Sequence, residues 1–295
     1  MFKTRLFSRI GFLSVLGTVF LVSCAPVVDD AQYDLEIRRG HLNIILSKFE
    51  VSAEHYQKAL DYLSKDNIEQ RLTALGWAAN AYQTAAKYKP AQELYQSAIL
   101  LAKSNLPASQ IDLLKLQNNL AQLFQVTGRL TEAESLMKHV IKASEPLEGA
   151  DTSQTLSNLA VLYYETDRLD LAEPMMRRVL DLDEEKFGPN HPEIAIDLNN
   201  LAQLYADTGR YDQAETLMLR ALNIEENSVE ATDGQIATSL NNLALFYFER
   251  GQIKKSERLL VRAVDIGLRK LGAKHPNTLY YLENLDVVRE ELTQD

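Results

Sequence analysis

Four asparagines recur in equivalent sequence positions, and their chemistry suits the binding of a partner's main chain. The tripeptide Asn-Leu-Ala begins at Asn158, Asn200 and Asn242, at intervals of 42 residues, and another copy begins at Asn119, 39 residues before the first. A side-chain amide both donates and accepts hydrogen bonds, so a row of amides suits an extended peptide whatever its sequence. The same amides could instead link neighbouring repeats to one another. The sequence leaves both interpretations open.

The asparagines share one face with other residues if their segments are helical, because side chains three and four positions apart lie together. On this face lie Lys115, Asn119, Gln122 and Val126; Gln154, Asn158, Val161 and Glu165; Ile196, Asn200, Gln203 and Asp207; and Thr238, Asn242, Leu245 and Glu249. The last position is acidic in three successive copies, at Glu165, Asp207 and Glu249. A row of like charges favours a ligand that carries Lys or Arg. General surface acidity is the alternative, since the chain has a net charge of −10.

Three aromatic residues extend this candidate binding face. Tyr164 and Phe248 lie beside it and could supply apolar anchors, which dominate binding energy when they enter a pocket. Trp77 is the only tryptophan of the chain and occupies the asparagine position of an earlier, less regular copy. It is either an exposed anchor or a buried residue that packs against the N-terminal part of the chain.

The sequence contains no constellation typical of an enzyme. Its five histidines are not spaced four residues apart and have no companion cysteine in the body of the chain, as a metal site would require. No glycine-rich phosphate loop or nucleophile elbow is present. The acidic net charge, without a cluster of Lys and Arg, argues against nucleic acid as a ligand. We therefore expect a non-enzyme with no metal, no cofactor and no small-molecule substrate.

A period of 42 residues predicts a stack of similar helical units, none of which can bury its apolar face alone. In the clearest copy, residues 186–224, Pro192 suits the first position of a helix and Gly209 suits a helix end that needs a positive φ. Apolar or small residues follow at helical spacing on both sides of that glycine: Leu198, Leu201, Ala202 and Tyr205 before it, and Tyr211, Ala214, Leu217, Met218, Ala221 and Leu222 after it. The pattern predicts two amphipathic helices per copy.

These residues resemble the tetratricopeptide repeat, in the long form found in kinesin light chains. The small and aromatic positions of that repeat recur at Ala79, Tyr82, Tyr88, Ala91 and Ala98; at Ala121, Phe124, Gly128, Ala133 and Val140; at Ala160, Tyr163, Ala172 and Val179; and at Ala244, Tyr247, Ser256 and Ala263. A degenerate copy passes through Gly40 and Tyr56, and a final helix is expected from Pro276 to about Leu292 with a charged outer face. Asp167 stands at a turn position where the family has Gly, and Ser256 at a packing position where it has Ala. We therefore expect the backbone or packing at these two places to be slightly altered.

The resemblance implies an all-α, right-handed superhelical solenoid of five to six antiparallel helix pairs with a C-terminal capping helix. In that family the face described above lines a concave channel that binds proteins. The partner-binding residues would then be Trp77, Asn119, Gln122, Asn158, Val161, Tyr164, Glu165, Asn200, Gln203, Asp207, Asn242, Leu245, Phe248 and Glu249. Family members that bind a C-terminal carboxylate use Lys or Arg along this face. Only Lys115 is basic here, so we do not expect binding of that kind.

Residues 1–23 resemble the signal peptide of a bacterial lipoprotein. Three basic residues precede an apolar stretch that is too short for a stable membrane-spanning helix, and it ends at Leu21-Val22-Ser23-Cys24, which resembles a lipobox. In that family Cys24 becomes the acylated first residue of the mature chain. Ala25, rather than Asp, resembles lipoproteins that are passed on to the outer membrane. An ordinary secretory signal with a chance cysteine is the alternative.

These patterns predict a signal peptide at 1–23, a lipid-anchored tether at 24–32 and a solenoid at 33–295. We expect a lipid-anchored protein of the bacterial outer membrane that faces the periplasm. Its expected role is that of a non-enzymatic adaptor, which binds extended peptide segments or other envelope proteins and positions them. The alternative is a structural subunit of a multi-protein envelope complex, such as a pilus or secretion assembly, that self-associates.

Overall fold

A computed structural model describes residues 29–105, 107, 110–147 and 152–294. Within these ranges the regular elements are thirteen α-helices with two short helical extensions, and no strand is present. The helices are α1 (Asp30–Ile45), α2 (Phe49–Ala59), α3 (Ile68–Thr84), α4 (Tyr88–Ser104), α5 (Gln110–Val126), α6 (Leu130–Ser144), α7 (Ser153–Glu165), α8 (Leu169–Phe187), α9 (Glu193–Asp207), α10 (Tyr211–Asn227), α11 (Asp233–Glu249), α12 (Ile253–Ile266) and α13 (Pro276–Gln294). A 3₁₀ turn, Leu60–Tyr62, follows α2, and a π-helical turn, Gly267–Leu271, follows α12.

The helices pack in chain order, each against the one before and the one after it. They form six pairs, α1/α2 to α11/α12, which we describe as a first helix followed by a second helix, with α13 unpaired at the end. First helices of neighbouring pairs also touch one another, at α3–α5, α5–α7, α9–α11 and α11–α13, whereas second helices of neighbouring pairs in the described part do not approach as closely. The stack therefore curves toward its first helices. The prediction of an all-α solenoid is confirmed.

Small residues let the paired helices approach closely. Ala202 of α9 and Ala214 and Ala221 of α10 are fully buried, as the repeat pattern predicts. Ser256 of α12, which stands where an alanine was expected, is equally buried, and its hydroxyl has no hydrogen-bond partner. The extra oxygen is therefore accommodated at some cost in desolvation without displacing the helix.

The N-terminal degenerate copy is a true helix pair. Gly40 of α1 packs directly on Tyr56 of α2, so closely that a Cβ at this glycine would overlap the tyrosine ring. The Ser52 hydroxyl donates to the Gly40 carbonyl at 2.8 Å. The first helix begins at Asp30, within the segment 24–32 that we predicted to be a tether. Asp29 caps it, because its side chain accepts a hydrogen bond from the backbone N–H of Gln32 at 3.1 Å.

The C-terminal helix is only partly the polar cap that the sequence suggests. Its inner face buries Tyr281, Leu285 and Val288, and Arg289, Glu290 and Glu291 are exposed as expected. Three apolar residues are also about half exposed: Leu279, Tyr280 and Val287. The predicted charged outer face is therefore mixed with apolar side chains.

The turns inside the helix pairs share one backbone conformation. The residue at the turn has a positive φ at Gly128, Gly209 and Gly251, and at Ser47, Ala86 and Asp167, where φ is 55°, 56° and 59°. Asp167 therefore keeps the geometry of the glycine that it replaces, and the expected alteration of this joint is absent. An aspartate tolerates this region better than most residues, whereas an alanine is strained there.

Replacing Ala86 by Gly should stabilise the protein by about 0.5–1 kcal/mol, because it removes the left-handed strain at an exposed turn residue. The reciprocal change, Gly209→Ala, should destabilise it by about 1 kcal/mol. Thermal and urea unfolding of the purified full chain, followed by circular dichroism, measures both. Equal effects of the same sign from the two variants would show that backbone strain does not govern these turns.

Candidate functional site

The predicted partner-binding residues lie on five first helices, in equivalent positions on their inner side. Trp77 is on α3, and the others are distributed over α5, α7, α9 and α11. The four asparagines, Gln122, Val161, Tyr164, Leu245 and Phe248 are half-buried, and Glu165, Gln203, Asp207 and Glu249 are exposed. The structure therefore brings these residues onto one continuous surface, which we call the groove. Their role in binding remains a prediction.

Side-chain amides link the first helices across the groove. The Asn158 amide donates to the Asn118 oxygen at 3.1 Å, and its own oxygen accepts from Gln154 at 3.2 Å. Asn199 donates to the Ser239 hydroxyl at 3.0 Å, and Asn284 of α13 donates to Asn241 at 2.8 Å. The repeat-linking interpretation is therefore confirmed for Asn158.

Of these three links between first helices, only the bond between Asn158 and Asn118 contains a residue of the predicted asparagine row. The linking partner is the residue just before the repeated tripeptide, at Asn118, Asn199 and Asn241. The signal was present as the doublet Asn-Asn at 118–119, 199–200 and 241–242. Adjacent residues of a helix point in different directions, so the first asparagine of each doublet can bond to the neighbouring repeat while the second lies on the groove.

The acidic edge of the groove is partly engaged in hydrogen bonds within the protein. The Tyr164 hydroxyl donates to the Asp207 carboxylate of the next repeat, which also accepts from Gln203 at 2.9 Å. Gln125 donates to Glu165 at 2.6 Å. Burial, together with the Asp207 carboxylate, raises the pKa of Tyr164 to about 12. Tyr164 therefore joins two repeats. Its hydroxyl is already hydrogen-bonded and its ring is half-buried, so only part of the ring is exposed to a partner.

Trp77 combines the two roles that the sequence left open. Its side chain is 39% exposed. Its ring also packs edge-on against His41, with centroids 4.8 Å apart, and lies 5.5 Å from the ring of Tyr56 in the N-terminal copy. The tryptophan therefore covers the junction between the first two helix pairs while it presents one edge to solvent.

A cavity of about 350 Å³ opens between α5, α6 and α7. It brings together Lys115, Asn119 and Gln154 from the predicted groove face, and its floor is formed by Leu114 and Val140. Asn118 also lines the cavity. A cation, three amides and an apolar floor in one concavity suit a peptide side chain together with its backbone. Among all the described residues, including those of this cavity, no cluster of His, Cys, Asp and Glu has the arrangement of a metal site.

Two successive repeats carry a charged network, away from the groove, that sequence reasoning did not find. Arg168 donates to the Glu134 carboxylate at 2.8 Å, the Tyr163 hydroxyl donates to it at 3.1 Å, and the guanidinium lies 4.4 Å from the centre of the Tyr163 ring. Arg210 repeats this arrangement one copy later, with two hydrogen bonds to Glu173 at 2.9 and 2.8 Å. The recurring signal was an arginine directly after the turn residue.

This network strongly perturbs Glu134. Hydrogen bonds from Lys138, then from Arg168 and Tyr163, lower the pKa of the Glu134 carboxyl from its ordinary 4.5 to about 2, against the opposing effect of burial. The carboxylate thus joins the second helix of one repeat to the turn of the next.

The stacked helix pairs define a helical-repeat protein. The sequence profile of the tetratricopeptide repeat matches residues 112–185, 151–227 and 236–277, which together span more than half of the chain. The chain belongs to the tetratricopeptide repeat family. A comparison with curated proteins gives no match.

Several solved structures are similar to this chain in fold. BtubC (BKLC) from P. vanneervenii gives a TM-score of 0.64 at 22% sequence identity and covers 81% of this chain and 92% of its own. A Rap protein complexed with Competence and Sporulation Factor gives 0.60 at 16% identity, covering 89% and 76%. PilW gives 0.58 at 13% identity, covering 86% and 100%. At these identities the likeness concerns the fold alone.

Glu134→Gln should lower the stability of the protein by about 1–2 kcal/mol at neutral pH, because charged hydrogen bonds are lost at a partly exposed site. The folded-state pKa is depressed, so the wild-type advantage is complete above about pH 4.5 and is lost as the pH falls toward 2. Urea unfolding at several pH values measures this difference. The matched control is Glu290→Gln on the exposed face of α13. If the difference in the free energy of unfolding between wild type and Glu134→Gln were unchanged near pH 2, the stabilising role of the ionised Glu134 carboxylate would be contradicted.

Proposed function

We propose that this protein is a non-enzymatic adaptor that binds extended segments of other envelope proteins in its groove. The observation that carries the proposal is the continuous inner surface of α5, α7, α9 and α11, where polar and apolar side chains lie side by side and an asparagine recurs on every helix. Val126 and Ile196 are about half exposed on it. The cavity beside Lys115 adds a concave subsite. Such a surface offers main-chain partners and side-chain pockets together, as peptide recognition requires.

Two similar structures support this kind of role. The Rap protein was solved in complex with Competence and Sporulation Factor, so a fold of this type accommodates a bound factor. PilW is described as a type IV pilus biogenesis factor, and this chain covers the whole of that structure. These resemblances are of fold, and we use them as analogy.

We further propose that the protein is anchored by lipid in the bacterial outer membrane and faces the periplasm. The support is the signal-like segment 1–23 followed by Cys24, which lies outside the described residues. Among the described residues, no helix is both long and apolar enough to span a bilayer. With α1 beginning at Asp30, only a few residues separate Cys24 from the solenoid, which would keep the groove close to the membrane surface.

Charged residues placed in the groove should abolish partner binding. The double variant Val126→Glu, Ile196→Glu introduces two carboxylates at half-exposed groove positions, where a bound segment would have to bury them. Tagged full-length protein should recover its partners from envelope extracts of its native host, and the variant should recover at least about tenfold less. The matched control is Leu219→Glu, Val261→Glu, at similarly exposed positions on the second helices α10 and α12. Equal recovery by both variants would exclude the groove as the binding surface.

A structural subunit that self-associates is the second candidate. The exposed apolar side chains of α13, Leu279, Tyr280 and Val287, favour it, because a repeat helix with exposed apolar residues offers a surface on which another helix can pack. The same capture experiment distinguishes the two functions. Recovery of untagged copies of this chain as the main product, unaffected by the groove variant, would support the structural subunit.

Cys24→Ser should prevent acylation and remove the protein from the outer-membrane fraction, because serine offers no thiol for thioether formation. Metabolic labelling with a fatty acid and membrane fractionation measure this. Ser23→Ala, which keeps a small residue before the cysteine, is the control and should still be acylated. A processed Cys24→Ser protein that remains with outer membranes would show that the anchor is of another kind.

A further inference from the structure

A small cavity lies under the groove where α7, α8 and α9 meet. Its volume is about 10 Å³, roughly the space of one water molecule. It is lined by Ser157, Val161, Met176, Val179, Asp197 and Asn200. Ser157, Val161 and Asn200 are only half-buried, so the cavity is not sealed from the groove. The first helices α7 and α9 approach each other less closely than α5 and α7 or α9 and α11 do, which leaves this space between them.

One wall of the cavity is a carboxyl group without a complete set of partners. Asp197 is only 7% exposed, and its Oδ2 atom has no hydrogen-bond partner. A buried, unpaired carboxyl oxygen costs free energy, and such groups in native proteins call for a functional explanation. The unpaired side chain lines the cavity rather than the sealed core of the repeat.

The groups that act on this carboxyl are themselves acidic. Burial first, then the negative charge of the Asp183 carboxyl of α8 and a hydrogen bond shared with that carboxyl, and last the charge of Glu193 of α9, raise the pKa of Asp197 to about 7. The site thus concentrates negative charge at a point where a cation would be strongly stabilised. Sequence position alone hides this feature, because Asp197 is one of many acidic residues.

Neighbouring repeats do not reproduce the site. The equivalent positions one period before and after Asp197 are Thr155 and Ser239. Ser239 accepts a hydrogen bond from Asn199 at 3.0 Å and so takes part in the amide links between first helices. A charged, unpaired group at this position therefore occurs at the α7–α9 junction and not at the next one, which would fix the register of a bound segment along the groove.

We propose that this cavity binds the ε-ammonium group of a lysine on the protein segment held in the groove, which rests on the proposed function. An ammonium group is close to water in size and carries three N–H donors. Asp197, Asn200 and Ser157 line the cavity, and each has a side-chain oxygen that can accept a hydrogen bond from the ammonium group. The planar guanidinium of arginine is too large for it. The groove therefore selects lysine over arginine at one position of its partner.

Binding at this site should depend on pH. The ammonium group pairs with an ionised carboxylate, so affinity should rise as the pH rises through about 7 and the Asp197–Asp183 pair loses its proton. Glu193 strengthens the negative potential over the same range. Binding below that pH should release a proton, because the ammonium lowers the carboxyl pKa.

A library of random peptides displayed on phage, selected on the immobilised full chain, tests the proposal. The wild type should enrich peptides with lysine at one fixed position, and Asp197→Asn should lose that preference. For a selected peptide made synthetically, Lys→Arg should weaken binding to the wild type by about tenfold, and binding should strengthen from about pH 6 to about pH 8. The matched control is Glu225→Gln, which removes another buried carboxyl with an unpaired oxygen outside this cavity and should keep the lysine preference.

The possible outcomes separate this inference from the proposed function. Peptides enriched without a lysine preference, or bound equally by the wild type and Asp197→Asn, would overturn the lysine site and leave the groove as a binding surface; the cavity would then hold water only. Failure of the wild type to enrich any peptide would contradict both. The Lys→Arg comparison uses unaltered protein, so it decides the matter even if Asp197→Asn folds poorly.

Discussion

The whole architecture depends on helices that pack closely because small, fully buried residues occupy their facing surfaces. Each pair of helices is too small to enclose its own apolar side chains, so it is stable only when the next pair covers it. Large residues at Ala202, Ala214 or Ala221 would separate the helices and expose the tyrosines and leucines packed around them. The same constraint reaches the N-terminal copy, where Gly40 lies against the ring of Tyr56. Stability in this protein is therefore a property of junctions between repeats rather than of any single repeat.

Polar links fix the register that apolar packing alone would leave loose. On the inner side, asparagine amides join one first helix to the next, and away from the groove Arg168 and Arg210 join their turns to a carboxylate of the preceding second helix. Amide pairs and fork-shaped guanidinium–carboxylate pairs are directional, so they tolerate little sliding between repeats. The groove is consequently a rigid surface with its side chains spaced at the repeat distance. Such a surface suits the capture of an extended chain, which presents its own groups at regular intervals.

The groove is not uniform along its length, and under the proposed function these differences would determine which segments it binds. At the α5–α7 junction a cavity gathers Lys115 with three amides, whereas at the α7–α9 junction the unpaired Asp197 carboxyl lies beneath the surface. At the acidic edge, Tyr164 and Asp207 bind each other across the same junction. A partner would therefore meet a cation at one step and buried negative charge at the next. Charge order of this kind discriminates between segments that an even row of asparagines would accept alike.

The sequence by itself determined the helical pairs, the turns of the regular copies and the face that lies inward, and it limited the number of pairs to five or six. It could do so because the 42-residue period and the helical spacing of Ala, Leu and Tyr are local, repeated patterns. It also identified the asparagine row, but not the preceding residues Asn118, Asn199 and Asn241, which take part in the links between first helices. Only the tertiary structure showed which of two adjacent amides bonds to the next repeat, and that the Trp77 ring packs on His41. It also showed that an arginine from another repeat binds Glu134, and that Asp197 has an oxygen without a hydrogen-bond partner beside a cavity. The reason is physical. These properties arise from distances between residues 30 to 40 positions apart and from burial, and neither quantity is set by the local spacing that a sequence displays.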